Sequence, residues 1–434
     1  MLDLRPLRSA SFRSLAGAYW VNEFGNWIGE IALTYLTYER THSPLATAAF
    51  FLSVRFLPAL LAPFLTARLE TLRPRVVLAA LYLLEAAFFA GLAVLTHHFS
   101  MPAVFLLGAL DALLAITAKA LTRGATATGL TGLGLLREGN AILNLGVVAA
   151  TAASPVIAAA LIVWKGVGTA LVIDAITFVL TALIIVSASG ISVAHDSEAS
   201  FGKRARAGVT LLRHHVAVRR LMVVNALFWL FASVAIPIEV VFAVTTLHAG
   251  ISGYGFLLGA WGVGTVLGGI AFAALPQLPL IRVLGVGLAL VAAGYAGLAV
   301  SPSLAVACAS SFVGGIGNGC GWIALVTAVQ ERIPTSTQSA VMAILEGVTQ
   351  LMPAIGFAAG GVITALTSPR AAYAVSAGGV ALVALTLAIR PIDRVRLTLP
   401  QDHDTVPEAD DQNSRPQENQ AACRTREIRS LTLG

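Results

Sequence analysis

The sequence predicts an all-α polytopic membrane protein of twelve transmembrane helices, arranged as two six-helix halves. Three observations predict it. Hydrophobic residues make up 57% of the 434 residues and charged residues only 12%. That is too little polar surface for a soluble globule of this length, and enough for a protein bathed in lipid. Apolar stretches of about 20 residues, the length a helix needs to cross a bilayer, recur along the chain. Lys and Arg fall in every second gap between those stretches. The spans are helices because lipid satisfies no backbone polar group and the period-2 alternation of an outer-membrane barrel is missing.

The spans are expected at residues 14–38, 45–67, 75–96, 101–122, 137–163, 166–188, 219–246, 251–275, 280–299, 302–328, 337–366 and 369–390. With a cytoplasmic N-terminus (1–13), the inner gaps hold nineteen Lys and Arg residues, among them Arg5, Arg8, Arg13, Arg123, Arg137, Lys203, Arg204, Arg206, Arg213, Arg332, Arg390, Arg394 and Arg396. The outer gaps hold three: Arg40, Lys165 and Arg370. This asymmetry places both termini in the cytoplasm. The net charge of +6 and pI near 9.5 then follow from topology and from anionic inner-leaflet lipid, so no nucleic-acid partner is invoked.

Met1 to Arg13 lacks an apolar signal core, and the first long apolar run carries Glu23 and Glu30 with no small-residue cleavage site after it. It is expected to be a mature span. Residues 14–188 form the N-terminal half and 219–390 the C-terminal half. Between them, 189–218 is the longest polar break before the tail, and from 391 to 434 the composition turns to Gln, Asp, Asn, Glu, Pro and Arg, as in a disordered cytoplasmic tail. Two halves of six suit a transporter built from repeats. A shift of about 207 positions lays Arg75-Val76, which opens the third span, on Arg282-Val283, which opens the ninth.

Polar groups at membrane depth each cost about 2.5–3.5 kcal/mol at a helix centre and mark function. Glu23 lies near the middle of the first span, and Glu30 is two turns further on the same face. Asn26 falls between them and Asn22 beside them, so one face of this helix is a polar stripe. Arg55 in the second span and Asp111 in the fourth carry charge at comparable depth. Arg55 is expected to pair with Glu30 or Asp111, as a structural bridge or as part of substrate or proton coupling. Glu85 in the third span and Asp174 in the sixth read as structural, with Asp174 tied to Thr177. Lys119, near the inner end of its span, is expected to snorkel to headgroups.

The glycines at 255, 259, 262, 264, 268 and 269, and those from Gly314 to Gly321, recur at helix-packing spacing. Cys308, Cys320 and Cys423 are spaced as small apolar fillers, with neither a disulfide framework nor a metal knuckle. The adjacent pairs His97-His98 and His214-His215 point apart on a helix, so no metal site is expected. Trp20, Trp27, Trp229, Trp261 and Trp322 can wall a cavity for planar solutes or anchor at the interface. None of Lys119, Lys165 and Lys203 ends a G-x-x-x-x-G-K-[ST] loop, so the chain holds no ATP-driven pump; a gradient is left, and protons exchanged through Glu23 or Glu30 are the simplest coupling ion. Neither a cofactor nor an enzymatic activity is expected.

Phe12-Arg13-Ser14-Leu15, Asn22-Glu23-Phe24-Gly25-Asn26-Trp27, Ser43-Pro44-Leu45-Ala46 and Arg55-Phe56-Leu57-Pro58-Ala59-Leu60 resemble the first two helices of the major facilitator superfamily. Ile173-Asp174-Ala175-Ile176-Thr177-Phe178, Gly253-Tyr254-Gly255, Ala260-Trp261-Gly262-Val263-Gly264 and Gly315-Ile316-Gly317-Asn318-Gly319 agree, and the branch most resembled is that of bacterial enterobactin and macrolide exporters. The resemblance covers about residues 10–390. It implies the major facilitator fold, a monomer in the bacterial cytoplasmic membrane, and alternating access around a midplane site. It also implies that Glu239 and Glu346 lie on helices lining the cavity.

Two family motifs are altered here. The charged loop between the second and third helices, which latches the inward gate in the family, is carried by Arg68, Glu70, Arg73 and Arg75, without its leading Gly and with Pro74 inside the basic pair. The bend motif of the fifth helix is represented by Ser154, Pro155, Ala158 and Ala159 after Ala150; Pro155 keeps the bend and the small residues relax the closest packing. The expected function is proton-driven efflux of an amphipathic small molecule such as an antibiotic, siderophore or secondary metabolite. Uptake or uniport of a small organic solute is the alternative within transport. A receptor or lipid-handling protein on the same scaffold is the alternative outside it.

Overall fold

In the computed structural model a short 3-10 turn, Arg5–Arg8, leads into α1 (Ala10–Thr41), where Ser9 Oγ accepts from the Phe12 N–H at the first turn. The residues described are 4–131, 133–188, 215–274, 277–333 and 335–389. The tail, almost all of the loop expected at 189–218, and with them Lys203, Arg204, Arg206, Arg213, Arg390, Arg394, Arg396 and Cys423, lie outside them.

After α1 the chain turns at His42, whose φ of 48° is the left-handed conformation of a helix C-cap, and enters α2 (Pro44–Leu69) through the Ser43 cap and Pro44. Then come α3 (Pro74–Leu95), α4 (Met101–Thr131), α5 (Leu136–Lys165) and α6 (Val167–Ser187). The α5–α6 link is Gly166 alone, at φ 85°, where a side chain would be strained. The last six are α7 (Val216–Thr246), α8 (Gly250–Ala274), α9 (Leu280–Val300), α10 (Leu304–Gln330), α11 (Thr335–Leu351 continued by Pro353–Leu366) and α12 (Pro369–Ile389).

Among the described residues eleven helices, α2 to α12, are long and apolar enough to cross a membrane. The remaining one, α1, has 32 residues but loses apolarity to Asn22, Glu23, Asn26 and Glu30. It packs along α5 and α6 within the same bundle, which places its polar residues among protein and completes the twelve. The protein is a multi-pass membrane protein.

Two helices depart from α geometry. Leu52–Phe56 in α2 is a π-helical turn, and Pro58 follows it. Pro58 has no N–H for the carbonyl four residues back, so the extra residue of a π turn fits there without a lost bond in a regular ladder. In α7 a 3-10 turn at Ile236–Ile238, holding Pro237, precedes Glu239, and a second π turn covers Phe242–Thr246.

Within the first six helices, α1 packs on α5 and α6, α3 on α6 and α4, and α2 on α4. Within the last six, α10 packs on α8 and α9, α12 on α9 and α7, and α11 on α7. The second group is joined by glycine. A methyl at Gly264 or Gly268 would overlap the α10 backbone at Phe312 or Ile316, and one at Gly315 or Gly319 the α8 backbone at Trp261 or Thr265. Gly287 and Gly294 meet α10 at Gly317, Gly321 and Gly314 in the same way. Gly269 is looser, with only Ile323 near it.

The two groups meet along α5–α8 and α2–α11. At the first seam Gly255, Gly259 and Gly262 of α8 lie against Ala159, Val156 and the backbone of Pro155, Thr151 and Ala152. The expected relaxation of packing at the altered α5 motif does not occur, because the glycines are on the partner helix. At the second seam Gly361 accepts Ala48, and the rings of Phe51 and Phe357 sit 5.5 Å apart. These contacts use the N-terminal half of α2 and the C-terminal half of α11, the end of the bundle away from Arg5. Toward the other end α2 leaves Leu57, Leu60, Leu61 and Phe64 exposed.

Gly268→Ala should destabilise by about 1–3 kcal/mol, because the added methyl meets backbone that cannot move aside. Gly378→Ala in α12, where nothing lies near the new methyl, should leave stability unchanged or slightly raised. Thermal unfolding of the two variants in detergent compares them directly.

Candidate functional site

The polar stripe of α1 is held by two cations from neighbouring helices. Arg55 Nη2 donates to both carboxylate oxygens of Glu30, at 2.5 and 2.6 Å. Arg55 lies inside the π turn of α2, the kind of distortion that re-aims a side chain at a functional position. Its side chain is 46% exposed, with the Glu30 and Glu23 carboxylates within electrostatic reach. Of the two partners open to it in the sequence, Arg55 takes Glu30 and leaves Asp111.

Lys119 Nζ lies 2.7 Å from Glu23 Oε1, whose side chain is only 7% exposed, and 5.7 Å from the centre of the Tyr19 ring. The expected snorkelling of Lys119 to headgroups is thus replaced by an internal ion pair. The reason is the length of α4, which runs to Thr131 instead of ending near 122 and leaves Lys119 well inside the helix. Asn26, half-buried, lies between the two pairs on the same face of α1.

Across from this stripe, the short helical segment Glu239–Val241 of α7 packs against α1. Glu239 is half-buried and forms no ion pair and no hydrogen bond among the described residues. Its charge reaches the phenols of Tyr254 on α8, Tyr295 on α9 and Tyr373 on α12. Tyr254 also feels Glu30 and Arg55, and so bridges the two sides of the centre. Beyond Tyr254 the rings continue: Trp261 stacks on Tyr295 at 5.5 Å, Tyr295 lies 6.2 Å from Tyr373, and Tyr373 meets Phe242 edge-on at 4.9 Å.

Asp111 belongs to a different group. It is buried with Glu85 of α3 and Asp174 of α6, each within electrostatic reach of the others. Among the described residues, Glu85 Oε1 and Oε2, Asp111 Oδ1 and Asp174 Oδ2 have no hydrogen-bond partner. Asp174 accepts from Thr177 Oγ1 at 3.1 Å, as expected, and fits against the α1 backbone where Gly25 and Gly29 leave room. Glu346 on α11 is exposed and accepts from Gln350 Nε2 one turn on, at 3.2 Å. In the α2–α3 loop Arg68, Glu70, Arg73 and Arg75 are all exposed, and among the described residues none of them makes an ion pair. Ser154, Pro155, Ala158 and Ala159 are buried at the α5–α8 seam, where helix α5 runs unbroken through Pro155. Of the tryptophans, Trp20 donates to the Ile142 carbonyl and packs on Gly146, a structural use. Among the described residues no group of His, Cys, Asp and Glu is arranged to hold a metal ion.

The family model of the Major Facilitator Superfamily matches residues 221–430. Three solved structures with high similarity are transporters. A mutant form of the nucleoside transporter NupG has a TM-score of 0.70 at 13% identity, over 86% of this chain and 99% of that one. A POT family transporter in complex with a thioalcohol conjugated peptide gives 0.69 at 12%, over 87% and 95%. A bacterial homologue of the iron transporter ferroportin, in an inward-facing state, gives 0.66 at 16%, over 87% and 98%. The fold is the major facilitator fold. A sequence comparison with curated proteins gave no match.

Three parts of this centre escaped the sequence. Lys119 was hidden by the misplaced end of α4. The tyrosines of α8, α9 and α12 carry no charge and no local motif, and only the major facilitator fold brings them to Glu239. The close packing at α5–α8 could have been read from the small residues of α5 set against the glycine spacing of α8. Lys119→Ala leaves Glu23 buried without its partner and should cost about 1–2 kcal/mol, the partial exposure of Lys119 softening the loss. Glu23→Gln combined with Lys119→Ala should recover about half of that, since no uncompensated charge remains. Melting curves of the purified single and double variants measure both effects.

Proposed function

We propose that the protein is a secondary active transporter that works by alternating access between its two groups of six helices, exporting amphipathic small molecules in exchange for protons. An antibiotic, siderophore or secondary metabolite fits the description. In this reading it is a monomer of the bacterial cytoplasmic membrane with both termini cytoplasmic, and surrounding lipid is its only other partner.

The observation that carries the reading is the pair of ion pairs anchored on α1. Charge at membrane depth is retained only where it is paired or used. Glu30–Arg55 is paired yet not fully buried, its side chains keeping 46% (Arg55) and 27% (Glu30) of their exposure, so in this reading its carboxylate trades its cation for a proton. Release of Arg55 from Glu30, or of Lys119 from Glu23, alters which helices α1 holds, and that is how a proton would bias one conformation over the other. Asn26 and Glu239 complete the centre on its two sides. The seams at α5–α8 and α2–α11 support alternation, because they close one end of the bundle while α2 stays uncovered toward the other. On closure of that second end, the solvated charges Arg68, Glu70, Arg73 and Arg75 come together as its latch, and the Ser154–Pro155 and Ala158–Ala159 stretch of α5 serves as the pivot against α8.

The test is efflux of a panel of dyes, antibiotics and siderophores from cells that express the protein, with and without a protonophore. At least one compound should be expelled by the wild type and retained when protonophore is added. A correctly inserted Glu23→Gln, Glu30→Gln variant should retain it as well. Expulsion that continues with the gradient collapsed rejects proton coupling, and equal accumulation of every compound in all cells rejects multidrug export.

A further inference from the structure

We infer that the α5–α8 seam, at the end of the bundle away from Arg5, holds one anionic phospholipid, with its phosphate on Lys165 and an acyl chain in the groove beside it. The inference rests on the fold and does not depend on what the protein carries.

The charges at this end come first. Of the three Lys and Arg residues in the expected outer gaps, two are spent on backbone. Arg40 Nη2 donates to the Thr96 carbonyl at the C-terminus of α3, and Arg370 Nη2 to the Ser301 carbonyl at the C-terminus of α9, each at 2.8 Å. Lys165, the last residue of α5, is exposed and makes neither an ion pair nor a side-chain hydrogen bond among the described residues. Its ammonium lies 5.2 Å from the centre of the Trp164 ring. A Trp at the end of a span sits at headgroup level, and a Lys beside it meets the phosphate there.

The ring of Trp164 also forms one end of a groove with a cavity of about 530 Å³, within the roughly 300–1,000 Å³ of ligand sites. Its shape follows from the sequence. Val156, Ala160 and Val163 share one face of α5, and the small Ala160 leaves a dent between the two valines. Gly255 and Gly259 of α8 lie against Ala159 and Val156, which brings α8 close enough for Phe256 to form the opposite wall. Phe256 heads a stripe of exposed apolar residues, Val263, Leu267 and Ile270, the face this helix turns to lipid. An apolar groove opening on that face takes an acyl chain.

Ser252 is the polar side chain of the lining, and it forms no side-chain hydrogen bond among the described residues. Gly259 meets Val156 and Gly255 meets Ala159, so Ser252, a turn earlier on α8, falls toward the Trp164 end of the groove. Its hydroxyl is placed to donate to the glycerol ester of a lipid whose phosphate is on Lys165. Because α5 and α8 belong to different groups of six helices, a lipid seated here touches both and braces the seam.

The experiment is photolabelling of the purified full-length protein in phosphatidylcholine nanodiscs doped with phosphatidylglycerol that carries a diazirine on one acyl chain. Labelled peptides are mapped by mass spectrometry, with the other lipid-facing helices as the internal reference. Wild type should be labelled preferentially in 156–164 and 252–256, and the same diazirine chain on phosphatidylcholine should label these segments less. Lys165→Gln should lower their labelling about fivefold, the worth of one Lys beside an anionic headgroup, and Lys165→Arg should retain it. Ala160→Trp, which fills the dent, should abolish it with Lys165 still in place. Each variant is first matched to wild type in melting temperature, and Ala160→Leu replaces Ala160→Trp if the larger ring lowers it. Equal labelling by the two headgroups, no loss in Lys165→Gln, or label spread evenly over the lipid-facing helices overturns the inference. A protein that expels none of the panel compounds can still pass this test.

Discussion

The pairing of α1 with Arg55 and Lys119 is the constraint on which the rest of the molecule depends. A helix carrying Asn22, Glu23, Asn26 and Glu30 cannot face lipid, so it must be enclosed by neighbours that bring charge of the opposite sign. α2 supplies Arg55, and the π turn at Leu52–Phe56 is the local cost of supplying it next to Pro58. α4 supplies Lys119 by running past the expected end of its span. On its other side α1 must lie close to α6, and Gly25 and Gly29 permit this by leaving the Asp174 carboxylate space against the backbone.

The remaining helices solve a different problem. Lipid gives apolar helices no hydrophobic reason to associate, so contact area must come from close approach. The α8–α10 and α9–α10 contacts obtain it with glycine on both partners, and α5–α8 with glycine on one and small residues on the other. A seam built from glycine and small residues brings the two backbones close with few interlocking side chains between them.

Much of this was legible in the sequence because the bilayer imposes it. The length of the apolar runs located eleven helices to within a few residues, and the polar stripe of α1 was visible from the spacing of Glu23, Asn26 and Glu30. The tie between Asp174 and Thr177 was visible too, being local. What failed was long-range or lay outside the membrane rule. Residues 123–131 are rich in Thr, Gly and Ala and fall past the apolar run, yet they continue α4, because hydropathy reports where lipid ends and not where the helix does. The partners of Glu239 come from three helices spread over more than a hundred residues, and no pattern in the chain joins Tyr254 to Tyr373. Arg55 had two acids within plausible reach, and only the three-dimensional structure shows that Glu30 is the one it pairs with.

The π turn in α2 has a consequence for how this chain relates to others of its fold. One extra residue per π turn advances every later side chain by about 100° around the helix. The stretch of α2 beyond Phe56 is therefore out of phase with the stretch before it, and a relative with an uninterrupted α-helix here would match this sequence only with a one-residue gap inside the membrane. Gaps in transmembrane segments are ordinarily avoided when sequences are aligned. An ungapped alignment would assign the Arg55 position to the wrong face in one of the two proteins, and the charge that organises α1 would be overlooked.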